Sequence, residues 1–134
     1  MKSIEVEAGI IIFKNKILCV QRGESKLHYI SKKYEFPGGK IEIGETKTEA
    51  VKREIFEELK LSIYVKEVFI TVTHQYPDFF LTMHSLICRC DSPTITLTEH
   101  INYKWLKKEE LANLDWAEAD IPIMKKLMFY HSDL

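Results

Sequence analysis

The chain has 134 residues, 46% of them hydrophobic and 29% charged, with a formal net charge of −1. That length and balance suit a single domain spanning 1–134 with a real core. They exclude the basic field that draws a protein to long nucleic acid, so an anionic partner would need a metal or a few placed cations.

The first run, MKSIEVEAGIIIF, is interrupted by Glu5 and Glu7. It is too short and too charged for a signal peptide or a membrane span. A cytoplasmic protein with no membrane partner is expected, as monomer or homodimer. Cys19, Cys88 and Cys90 lie on strand-like segments and read as reduced core thiols.

Residues 4–13 and 16–21 are apolar and β-branched around Asn15, which predicts a hairpin. A polar loop over 22–34 leads into the breaker cluster Glu35-Phe36-Pro37-Gly38-Gly39-Lys40. A helix is predicted over 46–59, and strands over 61–73 and 79–90 with a turn at Tyr76-Pro77-Asp78. A short strand (103–106), a short helix (108–114) and a last helix (119–130) complete the chain. This order points to an α/β fold, a mixed sheet covered by helices.

The helix over 46–59 carries the chemistry. Thr46-Lys47-Thr48-Glu49 has the form of a capping box. Val51, Ile55 and Leu59 form an apolar stripe that should bury against the sheet. Glu54, Glu57 and Glu58 share another sector, about 100° wide, where like charges repel. Arg53 stands at its edge, nearest Glu57, and cannot neutralise all three. A hard divalent cation would, and carboxylate oxygens suit magnesium or manganese. The plain alternative is a solvated acidic face. Two features weigh against it: Gly38-Gly39 can present a free carbonyl, and Glu45 can pair with Arg53 and hold the loop.

This stretch resembles the Nudix signature Gly-x5-Glu-x7-Arg-Glu-U-x-Glu-Glu-x-Gly-U, with U aliphatic. Gly39, Glu45, Arg53, Glu54, Ile55, Glu57, Glu58 and Leu61 stand in register. Lys60 replaces the glycine that normally ends the helix, which leaves the helix end open. The wider chain is similar to the MutT branch, which includes bacterial CTP pyrophosphohydrolases; Trp116 to Pro122 resembles that branch's C-terminal motif.

The resemblance implies a Nudix α/β/α sandwich and an enzyme acting on phosphoanhydride bonds. The implied reaction converts a (d)NTP to NMP and pyrophosphate, with Mg2+ as cofactor and Mn2+ as a possible substitute. The implied metal ligands are the Gly39 carbonyl, Glu54, Glu57, Glu58 and, shortly before Trp105, Glu99. Glu54 is nominated as general base, with Glu99 or Glu57 as rivals. Lys40 and Arg22 are candidate phosphate contacts or ordinary surface cations. Phe36 and Tyr76 either flank the base or belong to the core.

By the same resemblance, Asp120 stands at the position expected to read the base, where the oxidised-guanine enzyme of this branch has Asn. An ionised Asp only accepts, which suits the N4 amino group of cytosine better than guanine O6. Its competing role is to cap the last helix. CTP or a modified dCTP is thus the expected substrate. The alternatives are 8-oxo-dGTP and a non-catalytic nucleotide-binding module.

Overall fold

A computed structural model describes residues 2–131. The predicted hairpin is β1 (Lys2–Phe13) and β2 (Lys16–Gln21), turning through Lys14 and Asn15. Both turn residues have positive φ, 48° and 67°, the geometry that matches the twist of a two-residue hairpin. β3 (Tyr34–Glu35) and β4 (Gly38–Lys40) follow, then α1 (Lys47–Leu59), β5 (Tyr64–Gln75), β6 (Phe79–Arg89) and β7 (Asn102–Leu106). Two 3-10 turns, Lys108–Asn113 and Glu118–Asp120, precede α2 (Ile121–Leu127).

The sheet order is β3-β2-β1-β6-β5, with β4 added to β1 and β7 to β2. β1 runs parallel to β6 and antiparallel to β2 and β4, so the sheet is mixed as expected. β2 takes the C-terminal end of that edge of β1, at Ile12 and Phe13, and β4 takes Val6 to Ala8. Between them the Gly9 N–H donates to the Pro37 carbonyl at 2.7 Å. This fork brings the Pro-Gly-Gly segment onto the central strand.

Alternation along the strands builds two apolar layers. Ile11, Leu18, Val20, Leu86 and Cys88 pack with Val51, Ile55 and Leu59 of α1. Ile10, Ile12, Cys19, Met83 and Ile87 pack on the other face with Leu111, Trp116, Ile123 and Leu127. The predicted stripe of α1 is therefore its buried face, each side chain contributing about 1.5–3 kcal/mol. All three cysteines are buried free thiols. Among the described residues, no helix is long and apolar enough to cross a membrane.

Four elements differ from expectation. β4 lies inside the breaker cluster and β3 straddles its start, because they form by pairing with β1 and β2 and not by local propensity. β5 begins at Tyr64, after the buried but irregular Leu61 and Ile63. α2 is shorter than the periodicity suggested, since the backbone enters it through a 3-10 turn.

The helix end left open by Lys60 is settled. α1 stops at Leu59, and Lys60 caps it in the left-handed region, φ 55° and ψ 35°, its N–H donating to the Phe56 carbonyl. A side chain in that region is strained where glycine is not. Lys60→Gly is therefore expected to stabilise the protein by about 0.5–1 kcal/mol, a rise of a few degrees in Tm. An unchanged or lower Tm in calorimetry would show that Lys60 is compensated there.

Candidate active site

The capping box is formed in both directions: Thr46 Oγ1 accepts from the Glu49 N–H at 3.1 Å, and Glu49 Oε1 accepts from the Thr46 N–H at 2.9 Å. It starts α1 beside the Gly38-Gly39 segment. A Cβ at Gly38 would overlap the Glu7 carbonyl oxygen, and one at Gly39 would lie 2.6 Å from Glu54 Oε2. Only glycines let β4 lie so close between β1 and the acid of α1.

Arg53 turns back over the loop that enters the helix. Its Nε donates to Glu45 Oε2 at 2.6 Å and its Nη2 to Glu45 Oε1 at 3.0 Å, a two-pronged contact. That guanidinium, with the Glu42 N–H, holds the Glu45 carboxyl down to about 2. Nη2 also donates to the Lys40 carbonyl at 3.3 Å. Nη1 reaches Glu54 Oε1 at 2.8 Å and Glu57 Oε1 at 3.3 Å. Arg53 thus lies closer to Glu45 and Glu54 than to Glu57, unlike the simple helical projection.

A cleft of about 250 Å³ is lined by Gly39, Glu54, Glu58 and Glu99, with Arg22, Glu35 and His100 around them. Four of the five predicted metal ligands therefore meet. Glu57 does not join them: its side chain is 57% exposed and leans on Arg53. Glu99 arrives on a loop anchored to the end of α1. There the Thr98 N–H donates to the Glu58 carbonyl at 3.1 Å, and the Thr98 hydroxyl donates to the Glu57 and Glu58 carbonyls.

Glu58 is only 6% exposed, and its Oε2 is buried without a hydrogen-bond partner. Burial first, then the charges of Glu54, Glu99 and Glu35, push its carboxyl well above the usual range. An orphaned carboxylate oxygen among like charges, in a cleft that Gly39 also lines, fits a hard divalent cation. Among the described residues, no three acidic, histidine or cysteine side chains are already drawn together as a closed cage.

A second hollow, about 360 Å³, is lined by Arg22, Phe36, Lys40, Tyr76 and Asp120, all five predicted substrate contacts. It shares Arg22, Glu35, Gly38 and Gly39 with the acid cleft, so the two are continuous. Phe36 stacks on Trp116 at 4.6 Å, and Tyr76 stacks on Tyr29 at 5.3 Å while its hydroxyl accepts from the Ala119 N–H. Both are core residues that also present a surface to the hollow.

Asp120 makes no side-chain cap to α2. Its Oδ1 instead accepts from the Phe36 N–H at 3.0 Å, 84 residues away in sequence. Burial above all, and then the charge of Glu35, push its carboxyl well above the usual range, against the pull of the Phe36 N–H and Arg22. The capping role that competed for its oxygens is not used.

A family profile described as NUDIX domain matches residues 7–126. The chain belongs to the Nudix family. It is 36% identical over 127 residues to the 8-oxo-dGTP diphosphatase of Escherichia coli K12, covering 95% of this chain and 98% of that protein. It is 32% identical over 128 residues to the CTP pyrophosphohydrolase of the same organism, covering 96% and 93%. Its fold is similar to the solution structure of MutT, a Nudix hydrolase from methicillin-resistant Staphylococcus aureus 252. That likeness has a TM-score of 0.73 at 41% identity, over 96% of this chain and 98% of that one. This chain is a Nudix hydrolase, a family that works with divalent metal ions.

Three residues of the site escaped the sequence reading. Glu35 stands in the breaker cluster and His100 in the polar stretch before the short strand at 103–106, and no motif position marks either. Glu7 was noted as an interruption of the first strand, which is the signal that could have found it: a charge on a strand central to the sheet. It is 1% exposed, its Oε1 accepts from the Gly39 N–H at 3.3 Å, and its Oε2 is buried without a partner. Burial and the Glu54 charge raise its carboxyl to about 7, although the N–H groups of Glu7 and Gly39 pull the other way.

These raised acids set a pH dependence of stability for this Nudix hydrolase. An acid whose carboxyl is raised on folding binds more protons folded than unfolded between its ordinary and its raised value. Stability is therefore lost as pH rises through that window. Glu7, Glu58 and Asp120 all act in this sense above pH ~5. Glu45, lowered to about 2, acts only below that window. In chelator, Tm is expected to fall from pH 5.5 to 8.5 by several degrees, and Mg2+ is expected to restore it at the alkaline end. A Tm that is flat or rising in chelator would remove the assignment.

Proposed function

We propose that this Nudix hydrolase is a magnesium-dependent nucleoside triphosphate pyrophosphohydrolase, converting a (d)NTP and water to NMP and pyrophosphate. The observation that carries this reading is the continuity of the two hollows. A cleft of carboxylates opens, past Arg22 and Gly38-Gly39, into a largely apolar pocket ending at Asp120. A polyphosphate in the first places a nucleobase in the second.

Gly39 through its carbonyl, Glu54, Glu58 and Glu99 would hold the cation, with Glu57 at the outer edge. A divalent ion there supplies neutralisation of the phosphate charge and a lower pKa for water. Glu54, beside Gly39, takes the proton of the attacking water. Arg53 fixes the Glu54 carboxylate and ties it to the loop through Glu45. Arg22 and Lys40 stand where they can meet phosphate oxygens. Phe36 and Tyr76 wall the base, and the free oxygen of Asp120 reads its edge.

CTP or a modified dCTP is the first substrate reading, since a carboxylate at Asp120 accepts from the N4 amino group. One observation favours 8-oxo-dGTP as the second. The burial of Asp120 stabilises its neutral form, which donates as Asn does. Steady-state kinetics with Mg2+ on canonical and oxidised nucleotides, with NMP and pyrophosphate quantified, tests both. Tight nucleotide binding without product under any divalent metal would overturn the enzymatic reading for a binding module.

A further inference from the structure

A line of contacts crosses the cleft wall that the proposed chemistry does not use. Glu35 gives one carboxylate oxygen to each of two partners. Its Oε1 accepts from Arg22 Nη1 at 3.2 Å, and its Oε2 lies 3.0 Å from His100 Nε2. The His100 side chain is 5% exposed, and Nε2 is also 3.9 Å from Glu58 Oε1. His100 Nδ1 is buried with no partner. Two carboxylates on one nitrogen and none on the other assign the N–H to Nε2, donating to Glu35.

A buried ring with an unmatched nitrogen is a costly way to fill space. Its position gives it a use. His100 follows Glu99 directly, on the loop tied to α1 through Thr98 and to β2 through the Ile101 N–H and the Gln21 carbonyl at 3.0 Å. Those backbone ties fix the ends of the segment. The ring fixes its middle against Glu35, and Glu35 is itself held by Arg22.

We propose that His100 is a positioning residue: gripped by Glu35, it sets the Glu99 loop against Glu58 and so fixes the spacing of the acids that receive the cation. This rests on the metal reading above. Side chains that orient ligands from behind typically change metal affinity by about 10–100-fold when removed. His100 itself does not line the nucleotide hollow.

The test compares His100→Ala, His100→Asn and His100→Gln, with Glu58→Gln as reference. Mn2+ binding to the nucleotide-free protein is measured by calorimetry, beside Mg2+ titration of activity. His100→Ala and His100→Asn are expected to weaken Mn2+ binding and raise the half-saturating Mg2+ by about tenfold or more, with nucleotide KM at saturating metal within about threefold. His100→Gln, which can place an N–H near Nε2, is expected to recover most of that loss. Unchanged metal affinity in His100→Ala, or His100→Gln no better than His100→Asn, overturns the role. Absence of Mn2+ binding in the wild type together with full activity of Glu58→Gln would instead overturn the metal reading itself.

Discussion

Glu54→Gln is expected to lower kcat by about 10²–10⁴-fold while the protein stays folded. The substitution removes one charge and the ability to take a proton, with almost no change in shape. The carboxylate lies against Gly39, where an added Cβ would come within 2.6 Å of it, and Arg53 donates to its Oε1 at 2.8 Å. A Gln oxygen can still accept from Arg53, and Arg53 keeps its two contacts to Glu45. The melting curve should therefore move little. Glu57→Gln provides the contrast. Its side chain is at the solvent edge and outside the cleft lining, so a loss of about tenfold or less is expected. The exposed Glu109 serves as control, and Glu109→Gln should behave as wild type. Near wild-type turnover in Glu54→Gln would remove Glu54 from the proton transfer and promote Glu99 or Glu57.

Asp120→Asn is expected to change the preferred base. Its orientation is set by one contact, the Phe36 N–H on Oδ1. The Asn oxygen takes over that contact, so the amide NH2 must occupy the place of the free carboxyl oxygen. An acceptor becomes a donor without a change of volume. A cytosine N4 amino group then meets another donor, and kcat/KM for CTP should fall about 10–100-fold, the weight of one specific base contact. A guanine O6 meets a donor, and 8-oxo-dGTP should gain. The same logic gives a pH signature in the unaltered protein. Burial raises the Asp120 carboxyl, so it donates at lower pH and accepts at higher pH. The ratio of kcat/KM for CTP to that for 8-oxo-dGTP should rise with pH, and taking the ratio cancels titrations common to both reactions. An unaltered base preference in Asp120→Asn would show that Asp120 does not read the base.

Much of the acidic end of the site was legible because it is local. A helix needs only its own residues to place Glu54 and Glu58 on one side and Val51, Ile55 and Leu59 on another. The capping box spans four residues, and the Glu45–Arg53 contact spans eight. Where projection alone misled, the reason was also physical. Glu57 shares the acidic sector by angle, yet Arg53 reaches back to Glu45 and holds Glu54 on the way, which leaves Glu57 at the rim.

The hairpin, the box helix and its two faces follow from neighbouring residues, because hydrophobic period and capping act over a few positions. The rest of the site depends on contacts between segments far apart in the chain. β4 exists because β1 lends it an edge, and that pairing brings Glu7 under Gly39. Asp120 meets Phe36 across 84 residues, and Glu35 meets His100 across 65. No local rule links such pairs. Their partners are chosen by which strands lie side by side, and a buried carboxyl acquires its hydrogen bonds and its raised proton affinity only from that arrangement.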